Sequence, residues 1–322
     1  MKILFVGTPD FARDSLIEIE KAGHEVCGVI TAPDKPKGRG MQMAMSEVKE
    51  YALSKGYKIF QPEKIRKNPE FIEEIKALNA DIACVVVYGK ILPLSFLEIF
   101  KYGCINVHPS LLPKYRGAAP IQWAIINGDK KTGVCTMYLD VGMDDGDVIL
   151  REETEIGPDE NAGELWDRLS KIGAKLLVKT LDNLEKGIVI RAKQDDNFTI
   201  APKLEKELSK IDWENKSALQ IKNLVRGLTP GMGTYTLLND KKIKFWKVDV
   251  VNQDEIVNLD KNISFEGKIP GEVIYSSDKH GLYIYTVDGI LKVLIMQAEN
   301  SKRMDVGDFL RGNKIEVGEI LK

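Results

Sequence analysis

Over residues 1–155, short runs of apolar, β-branched residues alternate with longer stretches of helical spacing, and few folds accept a chain patterned in this way. The runs are 3–6, 26–31, 81–88, 105–108 and 134–139; helix-like spacing fills 11–21, 46–55 and 69–78, with Pro69 suited to a first helical turn. Strands connected through helices run parallel, so the expected fold class is α/β, a doubly wound, mostly parallel, Rossmann-like sheet. A helix over 162–186, ending at Gly187, closes this unit.

The texture then changes. Residues 188–207 are polar and weakly periodic and read as a linker laid over the surface. From residue 243 onward, short strands (243–251, 271–275, 282–287 and 290–296) follow one another, with Asp288-Gly289 marking a hairpin and a short helix fitting 306–311. Several short strands in such a length suggest a small, OB-like β-barrel. The expected organisation is therefore a catalytic domain over 1–187, a linker over 188–207 and a C-terminal barrel over 208–322.

Bulk properties narrow the class. Charged residues make up 29% of the 322 and the formal net charge is −2, which argues against disorder and against a globally basic nucleic-acid glove. Any polyanionic partner must be held locally. The first ten residues read as a strand and turn rather than a secretory signal, and no apolar run approaches the roughly 20 residues of a membrane span. A soluble, cytoplasmic, monomeric protein is expected. Cys27, Cys84, Cys104 and Cys135 are widely spaced in apolar runs without a C-x-x-C pair, which reads as buried free thiols and no metal site. The turn Gly7-Thr8-Pro9-Asp10 lacks a dinucleotide fingerprint, and no Walker lysine motif is present. Met41, Met43 and Met45 alternate like a strand and read as local packing.

Two polar constellations stand out. In Asn106-Val107-His108-Pro109 an amide and an imidazole two positions apart project from one face of a strand, which Pro109 then stops. The second, Asp140-Val141-Gly142-Met143-Asp144-Asp145-Gly146-Asp147, fails the spacing of a calcium loop, because glycine is not sixth from Asp140. What remains is an acidic loop at a strand end beside Asn106 and His108, with a solvated acidic turn as its plain alternative. His24 and His280 lie in ordinary turns. Asn is a neutral donor, His a donor or proton carrier and Asp a base, and together they suit addition of an amine to a carbonyl, which creates an oxyanion and an ammonium at once. Amide-forming acyl transfer fits this set. Spacing alone does not choose among Asp140, Asp144, Asp145 and Asp147.

These motifs, with Ser110-Leu111-Leu112-Pro113 and Arg116-Gly117, resemble the 10-formyltetrahydrofolate-dependent formyltransferases. Gly7-Thr8-Pro9-Asp10-Phe11-Ala12, residues 34–40, Gly117-Ala118-Ala119-Pro120-Ile121-Gln122, Ile211-Asp212-Trp213, Pro270-Gly271-Glu272-Val273-Ile274 and Asp308-Phe309-Leu310-Arg311-Gly312 are similar to the branch acting on methionyl-tRNA. The resemblance spans both expected domains. It implies formyl transfer from 10-formyltetrahydrofolate to the α-amino group of methionyl-initiator tRNA, with Asn106 and His108 stabilising the oxyanion. Asp144 would orient His108 and help move the proton. It further implies that Ser110, Leu111, Leu112, Pro113, Tyr88, Leu92 and Asp140 line the folate, with no metal. Tyr88, Leu92, Leu111 and Leu112 equally fit as packing residues.

Lys35, Lys37 and Arg39 crowd a Pro- and Gly-containing loop over 33–40. By resemblance this loop contacts tRNA phosphates and the barrel over 208–322 binds the tRNA body electrostatically; for the loop, a mobile, solvated segment is the alternative. Two rival functions remain: formylation of a small amine such as glycinamide ribonucleotide or an amino sugar nucleotide, and non-catalytic RNA binding on the same fold.

Overall fold

A computed structural model describes residues 1–37, 42–261 and 263–322. In chain order the elements are β1 (Lys2–Gly7), α1 (Asp10–Lys21), β2 (Glu25–Ile30), β3 (Lys35–Lys37), β4 (Gln42–Ala44), α2 (Glu47–Ser54), β5 (Ile59–Phe60), α3 (Pro69–Lys76), β6 (Ile82–Val86), α4 (Leu94–Leu97) and β7 (Cys104–His108). There follow β8 (Arg116–Gly117), α5 (Pro120–Ile126), β9 (Lys131–Tyr138), β10 (Val148–Glu155), α6 (Ala162–Glu185) and β11 (Ile200–Ala201). The remainder holds α7 (Ala218–Leu228), β12 (Thr234–Leu238), β13 (Lys241–Val251), α8 (Gln253–Leu259), β14 (Val273–Ser277), β15 (Gly281–Tyr285), β16 (Ile290–Ala298), β17 (Met304–Asp305) and α9 (Val306–Gly312). Packing divides the chain into two compact units, Met1–Pro120 with Lys131–Glu155 and Leu165–Pro202, and Ile121–Lys130 with Ile156–Glu164 and Lys203–Lys322.

The first unit is built on a seven-stranded sheet of order β10-β9-β7-β6-β1-β2-β5 among the described residues. Strands β5, β2, β1, β6 and β7 are parallel, whereas β9 runs antiparallel to β7 and β10 antiparallel to β9. β6 is buried throughout, and a strand covered on both faces reads as an uninterrupted apolar run. On one face Leu4, Val6, Ile30 and Val85 pack against Phe71, Ile72, Ile75 and Phe96, side chains of the kind that each contribute about 1.5–3 kcal/mol when fully buried. On the other, α6 comes so close that a Cβ at Gly173 would lie 2.8 Å from Val107. Local chemistry starts the helices where it should: Ser46 Oγ accepts the Lys49 N–H, and Asn68 Oδ1 accepts the Phe71 N–H with Pro69 in the first turn.

Residues 188–202, expected as a linker, lie with this unit. β11 pairs in parallel with β8, and the Arg116 and Ala118 N–H groups donate to Thr199 O and Ala201 O. Within the expected loop over 33–40, β3 pairs antiparallel with β4. Met43 and Met45 are 64% and 45% exposed, so they do not form the packing expected of them; Met41 lies outside the described residues. Cys84, Cys104 and Cys135 are buried free thiols, and Cys27 is partly buried. Among the described residues no helix is long and apolar enough to cross a membrane.

The second unit carries an antiparallel sheet of order β12-β13-β16-β15-β14, with β17 beside β16. Residues 318–322 bridge its two edges: Val273 N–H donates to Glu319 O and Leu321 N–H to Gly271 O, while Leu237 and Lys322 exchange main-chain hydrogen bonds. The edge strands are thereby joined through the tail into a barrel. Inside it pack Phe245, Ile284, Leu291, Val293 and Met296, with α7 laid against β13 through Ile221 and Val225. Ser217 and Gln220 form a capping box at the start of α7. Arg226 near its end is buried and donates to Gly157 O and Asn223 Oδ1, which fixes residues 156–164 to this unit.

Candidate active site

Asn106 and His108 share a face of β7, as alternation along a strand requires. His108 is buried, with Nε2 2.9 Å from Tyr115 O. A carbonyl only accepts, so Nε2 carries the proton. Nδ1 faces Asp144 Oδ2 at 3.8 Å, and both ring nitrogens therefore point at oxygen. Asn106 is partly exposed, and its side-chain amide has no hydrogen-bond partner among the described residues. It is a donor available to a bound carbonyl oxygen.

Asp144 reaches His108 by an indirect route. The expectation places the acidic loop at a strand end beside Asn106 and His108. Because β9 is antiparallel to β7, pairing Tyr138 with Ile105 and Cys135 with His108, the loop over 139–147 instead leaves from the opposite end of β7 and folds back. Tyr138 N–H closes it onto Asp147 O, and a Cβ at Gly146 would come within 1.9 Å of Tyr138 O, so only glycine fits that approach. Asp144 itself is left-handed, with φ 51°, an uncommon conformation for a non-glycine residue. Its Oδ2 accepts the Gly117 N–H at 2.8 Å, and its main-chain carbonyl accepts Gln194 Nε2 at 2.9 Å.

The three other aspartates of the loop do not meet His108. Asp140 and Asp145 are exposed. Asp147 pairs with Arg191 at 3.6 Å, and that guanidinium lies 3.8 Å from the centre of the Tyr138 ring. These groups, with Arg116 and Gln194, line a cleft of about 360 Å³ beside the Asp144 loop.

The residues expected along the folate divide into two sets. Ser110 is buried and donates to Lys114 O at 2.6 Å, and Leu112 is buried against Cys135, Met137 and Val148, so both brace the loop. Leu111 and Pro113 are partly exposed. Tyr88 and Leu92 join the cluster under the sheet that holds Leu4 and Phe96. The Tyr88 hydroxyl is buried without a partner, and burial pushes its phenol up to about 12. Beside it Ile91 is 88% exposed.

Of the expected tRNA contacts, Lys35 is exposed on β3, while Arg39 and the side chain of Lys37 lie outside the described residues. On the second unit, expected to grip the tRNA body, a basic and aromatic surface involves residues that the sequence did not single out. On β12 and β13, Lys242 Nζ sits 3.9 Å from the Tyr235 ring centre, and Lys244 and Arg303 lie over Trp246 at 5.3 and 3.2 Å. In the run Lys241-Lys242-Ile243-Lys244-Phe245-Trp246-Lys247 the lysines are exposed or partly so, while Ile243, Phe245 and Trp246 are buried. Gln194 was missed as a site residue, since an isolated polar residue in an aperiodic tract carries no signal; Arg116 stood in the motif without a role assigned to it. No cluster of three or more potential metal ligands occurs among the described residues.

Comparison with known proteins gives this geometry a context. Residues 1–181 match the profile of the formyl transferase family and residues 203–314 that of the formyl transferase C-terminal domain. The methionyl-tRNA formyltransferase of Caldanaerobacter subterraneus is 46% identical over 323 residues, and that of Clostridioides difficile 47% over 322, each covering 100% of both chains. Among solved structures, HypX of Aquifex aeolicus in complex with tetrahydrofolic acid superposes with a TM-score of 0.63 at 18% identity, over 99% of this chain and 50% of HypX. The sugar 3N-formyl transferase WlaRD gives 0.65 at 19%, over 94% and 99%. This chain thus spans about half of HypX, and at these identities both structures speak to the fold alone. Through profiles that match both of its halves and relatives matched from end to end, the chain belongs to the formyl transferase family, in the group of the methionyl-tRNA formyltransferases.

Proposed function

We propose that this chain transfers the formyl group of 10-formyltetrahydrofolate to the α-amino group of methionyl-initiator tRNA, in the cytoplasm, releasing tetrahydrofolate. The observation that carries this reading is the end-to-end similarity, across both units, to enzymes named for that reaction. The donor supplies a formyl carbon on a nitrogen that can leave. This chain's residues do the rest. Asn106, with its unclaimed amide, donates to the formyl oxygen as it gains charge on attack by the amine. His108 stands on the same strand face and stabilises the same charge through space as the amine's proton passes by its Nδ1, the nitrogen turned toward Asp144, since Nε2–H is held by Tyr115 O. The Asp144 carboxylate orients His108 and helps take the proton that the amine loses as the new C–N bond forms; that proton goes to the nitrogen whose bond to the formyl carbon breaks. No covalent bond to the enzyme is needed, because the amine is itself the nucleophile.

Leu111, Pro113 and Asp140 are the folate-side residues of this reading, with the buried Ser110, Leu112, Tyr88 and Leu92 supporting them. For the tRNA, Lys35, Lys37 and Arg39 hold the acceptor end, and Lys242, Lys244 and Arg303 hold the body, their charge offsetting a net-negative chain. A small-amine substrate is the alternative, but it leaves the basic face of the second unit without a role. The deciding experiment offers initiator and elongator methionyl-tRNA side by side with 10-formyltetrahydrofolate. Selective formylation of the initiator is expected. Folate binding without transfer to either tRNA would overturn the substrate and leave the small amines.

A further inference from the structure

Gln194 is buried in the tract expected to be a linker, and it bridges two segments that meet at Asp144. Its Nε2 donates to Asp144 O at 2.9 Å and to Gly146 O at 2.8 Å, while its Oε1 accepts Arg116 Nε at 3.0 Å. The opposite amide orientation would set oxygen against two carbonyls and nitrogen against a guanidinium, so this network allows only one. Both amide hydrogens are thus spent on the backbone of the acidic loop. The amide oxygen holds the residue before Gly117, whose N–H reaches the Asp144 carboxylate.

We propose that Gln194 is a positioning residue for formyl transfer, clamping the Asp144 and Gly146 carbonyls so that the Asp144 carboxylate stays between Gly117 N–H and His108. The inference rests on the reading of Asp144 as a member of the catalytic trio. A left-handed residue in a loop that folds back from the far end of β9 needs an external tie, and Gln194 supplies it at the Asp144 carbonyl and again two residues on at the Gly146 carbonyl. Arg116 is held in turn, with its guanidinium 4.5 Å from the Phe198 ring centre and its N–H on Thr199 O. The tract over 194–199 is therefore part of the catalytic frame.

The test is a double-mutant cycle in the full-length protein, with kcat and KM read for both substrates. Gln194→Glu keeps the shape and the acceptor for Arg116 but removes both donors; Gln194→Met removes all three bonds without adding charge and serves if the first variant does not fold. Either is expected to lower kcat by about 10- to 100-fold, the scale of a displaced catalytic group. KM for both substrates should stay within about twofold. In an Asp144→Asn background the same change should cost no more than about twofold, because residues acting through one another are not additive. A wild-type kcat, or a loss that multiplies with that of Asp144→Asn, would overturn the positioning role alone. An Asp144→Asn enzyme as fast as wild type would overturn the reading of the trio, and this role with it.

Discussion

His108 Nδ1 stands 3.8 Å from Asp144 Oδ2, and a single strand of backbone holds both residues to that spacing. Residues 115–117 offer Tyr115 O to the far nitrogen of the imidazole and Gly117 N–H to the carboxylate. The strap is pinned along its length by the tract beyond α6: Tyr115 N–H donates to Thr199 Oγ1, and β8 pairs with β11. Sequence-distant backbone thus sets the relation between a strand residue and a loop residue.

Gly117 is where this frame is least tolerant of change. Its φ is 121°, and a Cβ would lie 2.7 Å from Ala201 O, which is backbone and cannot swing away. Gly117→Ala should push the strap off β11 and carry its N–H away from Asp144. Turnover is expected to fall by about 10²-fold, as for an ångström-scale misplacement, with the fold retained. Normal turnover in this variant would show that the strap does not set the Asp144 position.

Asn106→Ala removes the amide left free on β7 while preserving the strand. Loss of one oxyanion donor costs about 10²- to 10³-fold in kcat. Substrate affinity should change little, since the charge being stabilised develops only in the transition state. Steady-state kinetics with saturating donor separate the two effects, and an unchanged kcat would remove Asn106 from the mechanism.

The parallel sheet was legible because central strands such as β6, buried on both faces, leave short apolar runs between helical stretches, and because Pro69 and Ser46 mark helix starts by their own chemistry, whereas α7 behind Ser217 was not read from the sequence. The direction of β9 was not, since an apolar run reads alike in either sense. That one reversal changes how the acidic loop must travel to reach His108. Leu112 and Tyr88 were open between pocket and core because an apolar side chain beside a motif suits either. Gln194 left no trace, as a single amide in a polar tract has no periodicity and no fixed spacing to its partners.

Tyr88 offers a test of which side of that ambiguity it falls on. Its buried hydroxyl has no partner, a defect whose removal is worth about 1–3 kcal/mol. Tyr88→Phe should therefore melt at the same temperature as wild type or higher, with folate affinity unchanged. The pH dependence follows from the phenol, pushed by burial from 10.0 up to about 12. Between those values the unfolded chain has lost a proton that the folded chain keeps, so wild-type stability falls as pH rises through this window. That part of the alkaline loss should vanish in Tyr88→Phe. A drop in folate affinity would instead assign the hydroxyl to the ligand.

On the second unit, Lys242 and Arg303 are exposed cations stacked on aromatic rings, Lys242 on Tyr235 and Arg303 on Trp246. Stacking fixes long side chains in an outward pose at small entropic cost, which suits phosphate contacts more than a freely moving lysine does. Replacing either by Ala should raise KM for methionyl-tRNA several-fold, with kcat at saturation and folate affinity preserved. Each lost phosphate contact should also make the dependence of log KM on log salt shallower by about one. KM measured across a salt series for wild type and the double variant checks both effects. If KM rises while the salt slope stays the same, the two cations support the barrel surface without touching phosphate, and the contacts to the tRNA body must be sought elsewhere on the unit.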